Sequence, residues 1–550
     1  MEVKDVVKWV NEFSYKNDIQ LNYNNIPLWW FFEPGFCFII HRYINKSFTA
    51  GSNPGRVARY IKLKGALSLL SSLSLLRHIT AKLLVPCQRK EGNNRPLKVI
   101  VVSYTSYWRD YPIPKQFKNN GIMDPMLGII IKKLKELQID VVGIDNDLSF
   151  TLDIKTMLKK RKLEGDLWRP IEAYLSPSLI HDAKSSSLNY RKEWQQLNST
   201  NVFKDSLSDY VQNSGLFRLL YNYFESIYNY ETFLPILYIE TMKRVIDLEK
   251  PDLVLMTCAT SVLGRAVALT GKLKGIPTME IQHGIIHPRH YDYILPKSDT
   301  NDTKTYFQSL NKFIPDKTFV YGIHHKELLL KKSIYSDENI VVTGQPRYDI
   351  FSQITDFYSK QDYMVKYGLK EHNNIFLWAP AFHDMSEQDN LILLKAIVDS
   401  VYKIKKSILI IKPHPRDKKT HLNTINKYIK NSENVFLVPR NSDTYEHLCF
   451  CNLLITRNST TAMEAVALNK PILIFDICKN IKDNFFVSEG VGYGVNNPEE
   501  LSASIQMLLD DDSLLKENRD KYIQKYLYKI DGLACQRVVS LIKDSLNFRK

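Results

Sequence analysis

Hydrophobic residues along the chain alternate between short β-branched runs and longer amphipathic stretches. Two apolar runs, at residues 97–103 and 138–145, flank residues 124–137, where apolar side chains recur at helical spacing. A strand, a helix and a second strand at this spacing form a βαβ unit, which pairs its strands in parallel. We therefore predict that a parallel α/β sheet begins near residue 97.

The same alternation continues in two series further along the chain. The first series has a predicted helix at residues 263–274 and predicted strands at residues 253–256, 278–282, 317–321 and 339–343. The second series has predicted strands at residues 374–378, 407–412, 435–438, 453–456 and 472–475. Two such series predict two Rossmann-like α/β domains, whose ligands bind beyond the carboxyl ends of the strands. We expect the chemistry in the cleft between them.

Two parts of the chain lack this alternation and are predicted to be mainly helical. Residues 1–95 include an uncharged run, 65–76, that is shorter than the about 20 residues needed to span a bilayer. This segment is either a helix lying on a membrane surface or an arm packed on the first domain. The predicted organisation is therefore a helical N-terminal segment (1–95), a first α/β domain (96–350) with a helical insertion (153–249), and a second α/β domain (351–550).

Composition narrows the classes of protein. The 550 residues suit two domains with an accessory segment, and Lys plus Arg (74) exceed Asp plus Glu (59), which favours an anionic partner. We expect no nucleic-acid partner, because zinc-finger spacing, RNA-binding signatures and dense Arg runs are absent from the sequence. The 7 Cys residues show no metal-ligand spacing, and the first residues lack the features of a signal peptide. We expect a cytoplasmic protein with reduced thiols and no metal site.

The strongest candidate motif follows a predicted strand of the second series. Residues 412–415 read Lys-Pro-His-Pro, and the two prolines restrict the backbone on both sides of His414. The imidazole is then held beside the Lys412 ammonium, where it can hydrogen-bond a phosphate or protonate one as it leaves. The alternative is a rigid loop with an incidental surface histidine.

A second motif combines three hydroxyl side chains with the start of a predicted helix. Ser459, Thr460 and Thr461 follow the predicted strand 453–456, and the first turn of a helix binds anions through its backbone N–H groups. Glu464, one turn further, is a candidate to accept hydrogen bonds from a ribose. Helix capping and compensation of the helix dipole are the alternatives.

The candidate acid–base residues lie in the first series. His283 follows the predicted strand 278–282 and is the first candidate for the base that takes a proton from an acceptor hydroxyl. Its alternative is a histidine buried within the fold. Asp110, in the loop after the first strand, is the second candidate base. Glu280 is the candidate carboxylate for a retaining reaction through a covalent intermediate.

A weaker motif ends the first series. Gly344 follows the predicted strand 339–343, and Arg347 comes after it on a turn constrained by proline. A guanidinium in this position suits a diphosphate or a carboxylate. We therefore count Gly344 and Arg347 among the candidate residues for binding a nucleotide.

In this order, the motifs resemble those of the GT-B glycosyltransferases that assemble bacterial capsule and lipopolysaccharide. The resemblance covers about residues 95–545 and rests on residues 282–284 (Gln-His-Gly), 343–347, 412–415 and 459–461. In the sialyl- and Kdo-transferases of this group, a His-Pro motif and a Ser/Thr pair contact the phosphate of a CMP-sugar. The resemblance implies these roles for His414, Ser459 and Thr460.

The resemblance also implies a metal-independent glycosyltransferase that needs no cofactor besides its nucleotide-sugar. Its acceptor would be a surface polysaccharide or a lipid-linked glycan, reached from the cytoplasm or at the inner face of the membrane. Three alternatives stay open: a UDP-sugar-dependent glycosyltransferase, an enzyme like UDP-N-acetylglucosamine 2-epimerase, and a polyol-phosphate transferase of the teichoic-acid type. The epimerases are similar at the His283 strand end but carry Ser-Gly-Gly at the hydroxyl-rich turn. The polyol-phosphate polymerases share a Lys-Pro-His-Pro-like element.

Overall fold

The fold is described by a computed structural model that covers most of the chain. It describes residues 9–10, 12, 21–44, 66–84, 96–104, 107–110, 122–146, 167–294, 314–369, 374–414, 417–457, 459–477 and 481–547. Within these ranges the chain forms two large parallel sheets with helices packed on both faces. The predicted fold class, two α/β domains, is confirmed.

The first sheet has seven strands, and every neighbouring pair in it is parallel. The strands are β1 (Lys98–Tyr104), β2 (Asp140–Asn146), β3 (Trp168–Pro170), β4 (Leu253–Thr257), β5 (Thr278–Ile281), β6 (Lys317–Val320) and β7 (Ile340–Val342), in the spatial order β7-β6-β5-β4-β1-β2-β3. Alternate residues of β1 enter two different cores, one containing Val99 and Val101 and the other Ile100 and Val102. Burial on both faces explains the nearly continuous apolar runs in the sequence.

The second sheet has six parallel strands. They are β8 (Asn374–Ala379), β9 (Ser407–Ile411), β10 (Val435–Leu437), β11 (Leu453–Thr456), β12 (Ile472–Phe475) and β13 (Tyr493–Val495), in the spatial order β10-β9-β8-β11-β12-β13. The central strand β8 pairs with β9 on one side and β11 on the other. The loops that follow β8, β9 and β11 therefore leave the same edge of the sheet as neighbours.

Helices connect the strands and form a separate block before β4. In the first half they are α1 (Trp29–Ile44), α2 (Ala66–Leu84), α3 (Gly128–Glu136), α4 (Pro177–Ser199), α5 (Val202–Tyr210), α6 (Ser214–Ser226), α7 (Phe233–Glu249), α8 (Val262–Lys274) and α9 (Ile323–Lys332). In the second half they are α10 (Lys360–Lys366), α11 (Glu387–Tyr402), α12 (Lys419–Ile429), α13 (Thr444–Phe450), α14 (Thr461–Ala467), α15 (Phe485–Ser488), α16 (Leu501–Asp510), α17 (Ser513–Tyr522) and α18 (Ala534–Asn547).

Helix α8 shows how local sequence positions the strand that follows it. Its first turn is capped by the Ser261 hydroxyl, which accepts a hydrogen bond from the Gly264 N–H (2.9 Å). The helix ends at Gly275, whose φ of +66° stops the helix at little cost because glycine lacks a Cβ atom. The chain then enters β5, and β5 carries the first group of candidate site residues at its carboxyl end.

The aromatic residues 29–32, at the start of α1, are buried in the helical block. The Trp29 ring of α1 stacks on Phe224 of α6 (5.4 Å between centroids, 6° between planes), and the Tyr223 hydroxyl donates to the Phe32 carbonyl (2.7 Å). Helix α1 is therefore an arm packed on the first domain. Among the described residues, no helix combines the length and the hydropathy that crossing a bilayer requires.

The C-terminal helix α18 returns to the first sheet. Its buried residues Val538 and Ile542 share a core with β1, β4 and β5. The return is fixed by Asp349, whose two carboxylate oxygens accept the Ala534 N–H (2.9 Å) and the Cys535 N–H (2.7 Å). The chain thus passes between the two sheets twice, near residue 350 and again before α18.

Candidate active site

The loop after β5 is held in place by the side chain of Gln282. The Gln282 amide oxygen accepts the Tyr321 N–H (2.9 Å), and its nitrogen donates to the Gly284 carbonyl (2.6 Å). The His283 ring is stacked on Tyr107 (5.6 Å between centroids, 27° between planes). The imidazole is therefore fixed both through its backbone and through its face.

The environment of His283 keeps its imidazole neutral. Burial lowers the pKa of His283 and the Arg347 guanidinium adds to this effect, whereas Glu280 and Asp292 oppose both. The Nδ1 atom is buried and has no hydrogen-bond partner among the described residues. A neutral imidazole with an unused nitrogen suits the base predicted from the sequence, although geometry alone leaves that role a prediction.

We predict that the lowered pKa of His283 is visible in the pH dependence of the reaction. The neutral imidazole is the form that accepts a proton, so activity falls when the pH drops through its pKa. Because this pKa lies below the ordinary value of 6.5, the acid limb of kcat/KM should lie below pH 6.5. A profile of kcat/KM against pH checks this, and an acid limb above pH 6.5 would contradict it.

Glu280 is placed differently from the predicted carboxylate nucleophile. Its side chain is fully buried, and burial raises its pKa. One oxygen accepts the Ala259 N–H (2.8 Å) and the Tyr293 hydroxyl (2.7 Å), and the other lies 3.4 Å from the Thr318 hydroxyl. With both oxygens engaged by the protein, Glu280 joins β4, β5 and β6 and acts as a positioning residue in this geometry.

Gly344 also differs from a simple ligand contact. Gly344 has a φ of +78°, and a Cβ atom there would lie 3.3 Å from the Ala534 Cβ and from an Arg537 nitrogen. Glycine therefore suits both the positive φ and the close approach of α18, a role that requires no nucleotide. Asp110 belongs to a two-residue strand, Arg109–Asp110, paired with Ile122–Met123, and its side chain lies outside the described part of the structure.

Arg347 joins the two halves of the candidate site. Its guanidinium donates to the Tyr348 hydroxyl (2.8 Å), lies over the Tyr348 ring, and reaches to 4.0 Å from a carboxylate oxygen of Glu464 in α14. Arg347 follows β7 of the first sheet, whereas the helix that carries Glu464 follows β11 of the second. A diphosphate entering between the sheets would compete with Glu464 for this guanidinium.

Lys412 stabilises the loops of the second sheet. The side chain is buried at the end of β9, and its ammonium donates to the carbonyls of Arg440 (2.8 Å) and Pro413 (3.2 Å). Burial lowers the pKa of Lys412, while Asp443 and Asp417 counteract that shift. The ammonium therefore ties the loop after β10 to the loop after β9, and the predicted phosphate contact would use its remaining N–H bond.

His414 lies in a pair of imidazoles organised by a buried carboxylate. Asp417 is fully buried; one of its oxygens accepts the backbone N–H (3.0 Å) and Nδ1–H (2.9 Å) of His383, and the other accepts the His414 N–H (2.8 Å). The His383 and His414 rings lie 4.5 Å apart. The predicted residue is thus held with a second imidazole that follows β8. Pro415 and Arg416, from the same motif, are outside the described residues.

His383 and Asp417 were not among the residues predicted from the sequence. His383 follows the predicted strand 374–378 just as His414 follows the next strand, so the strand-end rule applied above would have found it. Asp417, only three residues after His414, gives no signal of its own in the sequence. Its role depends on His383, which is 34 residues away.

We predict that Asp417→Asn destabilises the second domain. An asparagine offers one acceptor oxygen, and its NH₂ group would face an N–H donor, so at least one buried hydrogen bond is lost. The expected cost is about 1–3 kcal/mol in the free energy of unfolding, measured by chemical denaturation. The exposed Asp520→Asn variant is the control and should change stability by less than about 0.5 kcal/mol. Equal effects of the two substitutions would show that the network is unimportant.

The hydroxyl-rich turn is held by hydrogen bonds between its own residues, and its cap residue Thr460 makes no side-chain capping bond. The Ser459 hydroxyl accepts the Thr461 N–H (3.2 Å) and donates to the Thr461 hydroxyl (3.0 Å), while Thr460 begins the turn of α14. Helix α14 has only 7 residues, so its dipole contributes little. Phosphate binding by this turn stays a prediction. Asn458 lies outside the described residues.

A family model identifies a group of related proteins. The model described as CDP-glycerol:poly(glycerophosphate) glycerophosphotransferase matches residues 267–544, just over half of the chain. The matched region contains both histidine sites and the residues that link them: His283, Arg347, Lys412, His414 and the turn 459–461. No curated protein matches the chain.

Solved structures resemble this chain at low sequence identity. The UDP-GlcNAc 2-epimerase from Neisseria meningitidis bound to UDP-GlcNAc has a TM-score of 0.51 and 16% identity, covering 81% of this chain and 100% of that chain. A variant of the wall teichoic acid polymerase TagF has a TM-score of 0.48 and 12% identity, covering 90% and 97%. The UDP-GlcNAc 2-epimerase from Methanocaldococcus jannaschii has a TM-score of 0.48 and 15% identity, covering 82% and 100%. The Neisseria structure shows that the two sheets have the GT-B-like arrangement predicted from the sequence.

Proposed function

We propose, since the chain belongs to the CDP-glycerol:poly(glycerophosphate) glycerophosphotransferase family, that it moves a polyol-phosphate group from a CDP-polyol to a hydroxyl at the end of a phosphodiester polymer. The match to this family, over the region that contains His283 and His414, carries the proposal. The proposed activity is the third alternative given from the sequence, a polyol-phosphate transferase of the teichoic-acid type.

The CMP-sugar donor expected from the sequence has less support than this alternative. The family description names a CDP-polyol, and neither capsule nor lipopolysaccharide is supported by the comparisons. The two donors nevertheless share a cytidine nucleotide and release the same leaving group, CMP. The requirements inferred for the phosphate end of the site, namely cations and hydrogen-bond donors, therefore apply to both.

The proposed reaction is a phosphoryl-group transfer. The acceptor hydroxyl attacks the phosphorus that carries the polyol, the new O–P bond forms, and the bond from that phosphorus to the bridging oxygen breaks. CMP leaves with the bridging oxygen, and the proton of the acceptor hydroxyl passes to the base. Positioning and charge stabilisation provide most of the catalysis in reactions of this kind.

Different side chains serve the proton transfer and the stabilisation of charge. In this proposal the neutral imidazole of His283 takes the acceptor proton, while Arg347 and the imidazole pair His383 and His414 stabilise the negative charge that develops on the leaving phosphate. Glu464 retains its predicted ribose contact. The two histidine sites and Arg347 follow β5, β7, β8 and β9, and Glu464 lies in α14 after β11. Open α/β sheets bind their ligands at these strand ends.

Reaction in the cytoplasm, at the inner face of the membrane, is part of the proposal. Helix α2 exposes Leu69, Leu76 and Ile79, which are 48–60% accessible. Insertion of these side chains into the lipid interface would bring a lipid-linked polymer to the cleft. A vesicle flotation assay tests the contact: the wild type should float with anionic vesicles, and a variant with serine at the three positions should float less.

Titration calorimetry with CDP, CMP and UDP tests the nucleotide part of the proposal. We expect CDP to bind at least about tenfold more tightly than UDP, because a family that uses a CDP donor must discriminate between the pyrimidine bases. Preference for UDP would contradict the proposed donor, and absence of binding by any of the three nucleotides at millimolar concentration would contradict the transferase.

A further inference from the structure

The loop after His283 carries a group of basic side chains that the proposed chemistry does not use. His287, Arg289 and His290 follow β5, and His287 and Arg289 are exposed. The His287 and His290 rings are stacked, with centroids 5.4 Å apart and 22° between their planes. This places two imidazoles and a guanidinium on one short loop at the surface of the first domain.

The hydrogen bonds of the loop show which ring nitrogens are used within it. The Arg289 N–H donates to Nδ1 of His287 (3.2 Å), so His287 carries its proton on Nε2. Nδ1 of His290 donates to the Ile285 carbonyl (3.3 Å), which leaves Nε2 as the second site of that ring. Each imidazole therefore uses Nδ1 within the loop and keeps Nε2 for another partner.

Helix α1 brings a further imidazole to the same place. The His41 ring lies 5.8 Å from Tyr291, and the Arg289 guanidinium acts on the pKa of His41. Arg289 also acts on His287, and it lowers the pKa of both histidines together with burial, the larger cause. The basic loop (residues 287–290) and His41 thus form one electrostatic group, although α1 and β5 are far apart in the sequence.

The buried ring of Tyr293 lies between this group and the candidate base His283. Tyr293 lies 6.4 Å from His283 on one side and 5.1 Å from His290 on the other, centroid to centroid. Burial is the main cause that lowers the pKa of His290, and His283 adds to it, as expected of two neighbouring rings. A series of imidazoles therefore runs from the candidate base to the exposed end of the loop.

We propose that His287, Arg289 and His290, with His41 beside them, bind a phosphate group of the acceptor polymer while its terminal hydroxyl lies at His283. The inference rests on the proposed function, because it assumes an acceptor that carries a phosphate on every repeat unit. Charge-assisted hydrogen bonds from a guanidinium and imidazoles suit a phosphodiester. The site would hold the growing end in register for the next addition.

The electrostatics of the group explain how it can bind and release such a chain. Burial, with neighbouring cations, lowers the pKa values of His287 and His290, whereas Asp292 raises that of His290. Before a phosphate binds, the group therefore carries less positive charge than its number of basic side chains indicates. A bound phosphate favours the protonated imidazoles, so binding takes up protons and weakens as the pH rises.

Equilibrium binding of a fluorescent oligo(glycerol phosphate) tests the site directly. The double substitution His287→Gln with Arg289→Gln should weaken binding about tenfold, and the dependence of binding on salt should become less steep. Arg191→Gln is the control, because Arg191 is exposed on α4 and the substitution removes the same charge. An affinity and a salt dependence equal to the wild type would overturn the proposal.

A kinetic comparison distinguishes failure of this site from failure of the proposed function. With CDP-glycerol as donor, the double variant should raise KM for the oligomer about tenfold and leave kcat and KM for the donor unchanged. If the wild type transfers but the variant has the same KM, the acceptor site is wrong and the function stands. If the wild type transfers nothing but binds the oligomer about tenfold more tightly than the double variant does, the function is wrong and the site stands.

Discussion

Replacement of His283 by glutamine is expected to lower kcat by about 10²–10⁴-fold, the usual contribution of a positioned general base. Glutamine retains hydrogen bonding but cannot accept the proton of the acceptor hydroxyl at neutral pH. The fold should be preserved, because the loop is held by Gln282 through Tyr321 and Gly284, and these contacts do not involve the His283 ring. Initial rates of CMP release with saturating donor and acceptor give kcat.

The control for this substitution is His181→Gln. His181 is exposed on α4, and its side chain is 79% accessible. Its replacement should leave kcat at the wild-type value. The acid limb of the pH profile should disappear from the residual activity of His283→Gln, because the group that titrates has been removed. A His283→Gln variant with wild-type kcat would show that the base is elsewhere, and Asp110 would then be the next candidate.

Replacement of His414 by alanine has the second largest expected effect, a loss of about 10²–10³-fold in kcat. The substitution removes an imidazole from the pair that we place at the leaving phosphate. The loop should keep its shape, because Asp417 holds the His414 backbone N–H and not its ring. The effect should therefore appear in kcat, with little change in the midpoint of chemical denaturation.

The conservative variant His414→Gln separates charge from hydrogen bonding. If His414 donates a hydrogen bond to the leaving phosphate, glutamine should restore part of the lost activity; if it donates a proton, glutamine should be as slow as alanine. His181→Ala serves as the control for loss of an exposed imidazole. A fully active His414→Ala variant would contradict any role of this residue in the reaction.

The strands were predictable because the apolar pattern that indicates a strand lies within the strand's own residues. Strand β11 was predicted at residues 453–456 and is observed at Leu453–Thr456, and β12 was predicted and observed at residues 472–475. Strands buried on both faces must be apolar throughout, so their ends are visible in the sequence. Strand β3 (Trp168–Pro170) was missed, since three residues at the edge of a sheet leave no recognisable pattern.

The positions of the candidate site residues were also predictable, but their partners were not. The sequence placed Glu280 within a strand and Gly344 directly after one, and the structure agrees, because Glu280 is in β5 and Gly344 follows β7. Their roles depend on remote residues: Tyr293 and Ala259 engage Glu280, and Ala534 of the returning C-terminal helix packs against Gly344. Burial and hydrogen bonding by distant segments distinguish a ligand contact from a structural one.

The identity of the donor also lies beyond what motifs at strand ends can establish. Lys412 and His414 suit any phosphate leaving group, and CMP-sugars and CDP-polyols release the same one. The family match over residues 267–544 separates them in favour of the CDP-polyol. The basic loop after β5 is consistent with that choice, because a phosphodiester acceptor carries charges that a neutral glycan lacks.

Phosphorus NMR of the purified protein with CDP-glycerol and an oligo(glycerol phosphate) acceptor tests the central claim most directly. A parallel reaction contains a CMP-sugar with the same acceptor. We predict that CDP-glycerol disappears, that CMP appears, and that one new phosphodiester forms for each CMP released, while the CMP-sugar persists. Consumption of the CMP-sugar with CDP-glycerol left intact would contradict the account.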